Sequence, residues 1–128
     1  MTVLLQVFFL SGICSQPVDE ANSRVDSLIR VGINHFSSQP NEAIRFFQES
    51  FRLSEEAGYT RGKARSYHLI AQLLLKQGMQ DSVLQLLTIS NALYQQVEDS
   101  TSRGKIMLSL GDVYLQKGDY KLALKQYT

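Results

Sequence analysis

The chain has 128 residues, 44% of them hydrophobic and 20% charged, with 13 basic and 12 acidic side chains for a net charge of +1. That length fits one domain able to bury its own core, and the composition argues against general disorder. Neither sign of charge clusters along the sequence, so nothing draws a phosphate backbone or an anionic membrane strongly, and no nucleic-acid partner is expected.

Residues 1–15, MTVLLQVFFLSGICS, carry an apolar run from Val3 to Leu10 followed by small residues. A run of that size matches a signal-peptide hydrophobic region and is too short to span a bilayer. Cleavage after Ser15, ahead of Gln16 and Pro17, leaves a mature domain over 16–128 and implies export. No Lys or Arg precedes the run, so a retained anchor or a buried terminal helix stays open, and without a signal the chain is cytoplasmic. A lipid anchor at Cys14 fits less well, because Ile13 is not the small residue that lipid attachment wants before the cysteine. Any membrane association therefore runs through this segment alone. Cys14 is the single cysteine, which excludes an intrachain disulfide and a cysteine-based metal site.

From there on the apolar spacing is helical. Leu28, Val31 and Gly32 begin an i, i+3, i+4, i+7 pattern with His35 in the last slot. Tyr67, Ile70, Ala71 and Leu74 complete it, and Met107, Leu110, Gly111 and Tyr114 complete it again. Gly78 and Gly118 are placed to close helices with a left-handed residue, and Pro40-Asn41 punctuates the first pair. The pattern predicts helices at about 20–36, 41–57, 62–76, 80–97, 102–116 and 120–128.

These helices repeat. Ala71 and Gly111, Leu74 and Tyr114, Gly78 and Gly118, and Val83 and Ala123 are each offset by 40, as are Ala43 and Val83. Gly32 to Ala71 is 39, which predicts a first hairpin turn one residue shorter. Small residues at Gly32, Ala71 and Gly111 are expected to admit a partner helix closely, with Ala43 and Ala123 answering from the other side. The tripeptide Arg61-Gly62-Lys63 returns as Arg103-Gly104-Lys105 at a spacing of 42, outside the helical register. A fixed period of this size marks a stacked helical array.

The run Leu110-Gly111-Asp112-Val113-Tyr114, then Gly118-Asp119-Tyr120, Ala123-Leu124 and Tyr127, resembles the tetratricopeptide repeat consensus. The copy from Ile70-Ala71 to Leu87 matches less closely, and the first copy least. The resemblance implies an all-α superhelical array of antiparallel helical hairpins, about two and a half repeats of ~40 residues over residues 20–128. Since 40 exceeds the usual period of ~34 residues, each hairpin must carry longer helices or longer links. The link Gly58-Tyr59-Thr60-Arg61-Gly62-Lys63-Ala64-Arg65 is similar to those in exported sensor regions of bacterial histidine kinases and regulators, Bacteroidetes-like ones above all. What the resemblance implies is a protein-interaction module that takes a protein or peptide in its concave face, in a two-component signalling protein or else in a freestanding exported scaffold. Mapped on this sequence, that face comprises Asp26 and Arg30, then Arg65, His68, Gln72 and Lys76, then Lys105, Ser109, Asp112 and Gln116. The paired Lys and Asn residues with which some members clamp a terminal carboxylate are not reproduced, because Leu69 and Ser109 occupy the asparagine positions. The predicted last helix has only nine residues, so the array reads as a fragment cut at its C-terminal end, with an open face available for self-association.

Catalytic candidates are few, and neither an enzyme nor a cofactor is expected. His35 occupies an aromatic or leucine slot and reads as a core histidine. His68 reads as a solvated side chain on the inner face. Neither has ligands at metal spacing. No Gly-x-Ser-x-Gly elbow or Gly-rich phosphate loop occurs. Glu55-Glu56 reads as a solvated face near a helix end, and Phe46, Phe47 and Phe51 as packing.

Overall fold

The computed structural model describes residues 19–128, so the leader reading of residues 1–15 and Cys14 lies outside the described residues. Six helices and no strand occur among the described residues. The first, α1, is described over 19–34. It is followed by α2 (Pro40–Ala57), α3 (Thr60–Lys76), α4 (Gln80–Gln96), α5 (Ser100–Gln116) and α6 (Tyr120–Tyr127). From Pro40 onward the helices start at Pro40, Thr60, Gln80, Ser100 and Tyr120, so the period divides into two equal halves. The extra length over a repeat of ~34 residues lies in the helices, since α3, α4 and α5 have 17 residues each and the links after α2 two or three.

The links share one hydrogen-bonding scheme. The N–H groups of Tyr59, Met79, Asp99 and Asp119 donate to the carbonyls of Ser54, Leu74, Tyr94 and Tyr114 at 2.8, 3.1, 3.0 and 2.8 Å. This is the bond that closes a helix over a left-handed residue. Gly58, Gly78 and Gly118 supply that residue at φ of 66°, 80° and 77°, and Glu98 supplies it at 56° despite its side chain. Asp99 and Asp119 then cap the next helices, accepting from the N–H of Ser102 at 3.0 Å and of Leu122 at 3.1 Å. Met79 has no side chain able to do so, and α4 starts without such a bond.

The first link departs from the pattern. The interval from Gly32 to Phe47 is one shorter than those from Ala71 to Leu87 and from Gly111 to Tyr127. The missing residue disrupts the end of α1, which stops at residue 34, so the link over 35–39 is longer than the others and not the shorter turn that the spacing predicts; Pro40 restarts the chain at a position where its lack of an N–H costs nothing.

Packing explains the small residues. A Cβ on Gly32 would meet the ring of Phe47, with Cδ1 at 2.8 Å and Cε1 closer still, and one on Gly111 would meet the ring of Tyr127. In the middle repeat Ala71 and Leu87 share one buried cluster with Ala64, Val83, Tyr94, Ile106 and Val113. A second cluster joins Ala43, Phe47 and Leu73. Helix contacts run between chain neighbours, with α3 also touching α5.

A seam of buried serines was not foreseen in the sequence. Ser50 Oγ and Ser66 Oγ lie 2.7 Å apart, Ser54 donates to the Ser50 carbonyl at 2.6 Å, and Ser90 donates to the Ala64 carbonyl at 2.7 Å. Small hydroxyls that satisfy themselves on nearby carbonyls let helices come close without leaving a buried polar group unpaired.

Candidate functional site

Along α3 the residues Arg61, Arg65, His68 and Gln72 fall at i, i+4, i+7 and i+11, which is one helical face. On α5, Ser102 and Lys105 turn toward them. Together with Leu69 and with Tyr94 from α4 these side chains line a cleft of about 480 Å³. A second cleft, of about 330 Å³, adjoins it through Arg65 and is lined by Asp26, Ile29, Arg30 and Ile33 of α1 and by Tyr59. Tyr59 donates its hydroxyl proton to Asp26 at 3.0 Å, a bond that ties α1 to the start of α3; burial and then this bond raise the phenol's pKa.

His68 is not the solvated side chain expected from the sequence. Only 8% of its surface is exposed, and its Nε2 lies 3.0 Å from Ser109 Oγ. Ser109 in turn donates to the Lys105 carbonyl at 3.2 Å, which leaves its oxygen to accept from the imidazole Nε2–H. Burial, followed by the nearby Lys105 charge, lowers the His68 pKa to about 4. The reason for the difference is the closeness of α5 to α3, which covers the ring. His35 departs in the opposite direction. It stands at the disrupted end of α1, partly exposed, its Nδ1 2.8 Å from the Val31 carbonyl and its ring 5.3 Å from that of Phe46.

Of the residues mapped to the inner face, Arg65, His68, Gln72 and Lys105 meet in the main cleft, and Asp26 and Arg30 lie in the adjoining one. Ser109 stands behind His68. Lys76 lies over the Phe36 ring at 4.6 Å from its centroid, outside both linings. Asp112 accepts a hydrogen bond from the Tyr127 hydroxyl at 2.6 Å, which commits it to α6. Gln116 is exposed and lines neither cleft.

Arg61, Tyr94 and Ser102 were not among the mapped residues. Tyr94 comes from the second helix of its hairpin, a helix that the inner-face mapping leaves out. It takes the place of Ser54 one period later, and the exchange of a small residue for a tyrosine at a buried slot was the available signal. Arg61 pairs with Asp99 at 3.5 Å, and Asp99 also accepts from Ser102 Oγ at 2.7 Å. The bond from the Ser102 N–H does most to hold the Asp99 carboxyl below its usual range.

Among the described residues no cluster of three or more His, Cys, Asp or Glu side chains is placed to hold a metal, and no helix is long and apolar enough to cross a membrane.

Residues 104–128 match the family model of the tetratricopeptide repeat. The crystal structure of the tetratricopeptide domain of Arabidopsis FLU superposes with a TM-score of 0.75 at 18% identity, covering 84% of this chain and 91% of that one. No curated protein matches the sequence. At that identity the likeness is one of fold, and the fold is an all-α array of tetratricopeptide type, as the sequence implied. The matched stretch contains α6 and most of α5, the copy whose residues follow the consensus best.

Proposed function

We propose that this chain is a protein-interaction module that receives an extended peptide segment along the face shared by α3 and α5. The observation that carries the reading is the cleft between these helices, where Arg65, His68, Gln72 and Lys105 converge beside Tyr94. A concave, polar-edged slot with an aromatic wall offers a peptide both shape and hydrogen-bonding partners. Selection from a displayed random-peptide library on the full chain tests it. The expected binders perturb the amide resonances of Arg65, Gln72 and Tyr94; binders that perturb only outer helix faces, or no enrichment at all, refute it.

Within that class the role favoured is the exported sensor or interaction region of a bacterial two-component signalling protein. Its support is the apolar run of residues 3–10 and the link from Gly58 to Arg65, which resembles the links of such arrays. Sequencing the gene on both sides of this reading frame decides it. Further repeats, a span of ~20 apolar residues and a kinase core uphold the signalling role. A freestanding scaffold instead ends after a few capped repeats. The outward side of α6, where Tyr120 and Leu124 are 70% and 64% exposed, is the surface through which copies of the chain would associate.

A further inference from the structure

Four cations outside the main cleft are matched by carboxylates. Arg45 pairs with Glu42, Arg52 with Glu49 and Glu56, Lys63 with Glu55, and Lys117 with Asp81. The cleft lining, by contrast, holds Arg61, Arg65 and Lys105 and no carboxylate. Arg61 is partly compensated by Asp99 from behind the lining, whereas Arg65 and Lys105 form no salt bridge with any described residue. A chain with a net charge of +1 thus concentrates three cations in one slot of about 480 Å³.

The walls determine what kind of anion suits these charges. Burial holds His68 neutral, so it adds a hydrogen-bonding ring and no fourth charge. Tyr94 is 3% exposed and closes one side, and Leu69 contributes an apolar patch. A planar bilayer cannot enter a slot between helices. A polyphosphate chain calls for a continuous basic stripe, and the adjoining cleft places Asp26 beside Arg30 instead. A peptide fits on both counts: its carboxylate side chains reach Arg65 and Lys105, and its neighbouring apolar side chain lies on Leu69.

We propose that the segment bound here is acidic, with an internal Asp or Glu carboxylate held between Arg65 and Lys105. The inference rests on the peptide-binding reading above and adds the chemistry of the ligand to it. A free chain terminus is not required, because the asparagines of the terminal-carboxylate clamp are replaced by Leu69 and Ser109. Arginine provides a fork for a carboxylate and lysine a point charge, and opposing charges of this kind govern specificity and association rate.

The test uses the full chain and the binders taken from the random-peptide library. Acidic residues should be enriched over the input, and the best acidic peptide should weaken about tenfold between roughly 50 and 500 mM NaCl. The double substitution R65Q/K105Q, at two exposed positions, should lower its affinity about tenfold or more, with Arg45→Gln as a control that leaves it unchanged. The imidazole of His68 provides a local readout. It faces Lys105, Arg65, Tyr94 and Ser109, and a carboxylate arriving between the two cations should raise its pKa, as followed by NMR. Binders that are neutral or basic, with R65Q/K105Q indifferent, overturn the acidic assignment and leave the peptide cleft standing. A single-stranded DNA of equal charge that outcompetes the acidic peptide overturns it in favour of nucleic acid. No enrichment of any peptide removes both readings.

Discussion

Replacing Gly32 by alanine puts the close packing of α1 on α2 to a quantitative test. In an open helix the change would stabilise by ~1 kcal/mol, because glycine is the poorer helix former. Here the new methyl would lie 2.8 Å from Phe47 Cδ1 and 3.0 Å from Cζ, where carbon atoms prefer roughly 3.5–4.0 Å. The phenyl ring must withdraw by roughly 1 Å to restore that spacing. Phe47 is fully buried among Ala43, Leu73, Phe36 and Ile44, so it has little room to do so. Overpacking of this kind costs ~1–3 kcal/mol, which leaves a net loss of about 1 kcal/mol. Gly104, also in a helix, has nothing within 4 Å of its added methyl, so the same change there should stabilise by about 1 kcal/mol. Urea unfolding followed by circular dichroism in the far ultraviolet should separate the two variants by about 1 M in midpoint, for a slope of about 2 kcal/mol per molar. The middle repeat suggests the rescue, since Ala71 and Leu87 occupy the places of Gly32 and Phe47. Gly32→Ala combined with Phe47→Leu should therefore be less damaging than the two changes summed, with a coupling of about 1 kcal/mol. If Gly32→Ala stabilises as much as Gly104→Ala, the close approach is refuted.

Glu98→Gly should raise stability by ~0.5–1 kcal/mol, since a left-handed residue with a side chain is replaced by the type found at Gly58, one period earlier; thermal unfolding checks the sign. His68 binds a proton less readily in the folded chain than in the unfolded one. Between pH ~6.5 and 4 the unfolded state therefore takes up more protons, and stability falls as the pH drops through that window by at most about 3 kcal/mol. His68→Leu should flatten this slope in pH-dependent urea titrations while leaving Ser109 bonded to the Lys105 carbonyl. Asp99 has a carboxyl held below its usual range, so its contribution is present at neutral pH and is lost as the pH falls through the folded value. Asp99→Ala should destabilise at neutral pH and converge with the parent in strong acid, as measured by denaturation under both conditions.

The helices were legible because their apolar faces and punctuating glycines are local signals, and the observed starts of α2 to α6 fall within two residues of the expected ones. The glycine slots at 32 and 111 were legible too, through the near-constant offset between copies. What the sequence concealed depends on contacts across helices. Nothing adjacent to His68 in the chain announces that α5 covers it. The disrupted end of α1 moved His35 out of the core slot that periodicity assigned to it. Glu98 carries no glycine to mark its link, and only its place midway between Gly78 and Gly118 reveals the turn. The cleft was half legible, since the face of α3 could be mapped but Tyr94, on α4, could not.

The even spacing of helix starts has a consequence for how such a chain can change length. Every step from Pro40 onward is one helix and its link, so adding or removing a single step preserves each turn while reversing the direction of every helix that follows. A step placed between α3 and α5 would then turn α5 to the other surface, and the lining of the cleft would be dealt to opposite sides. Two steps restore the sense. Length between α3 and α5 therefore has a parity, and only changes by an even number of steps there keep the two helices looking at the same ligand.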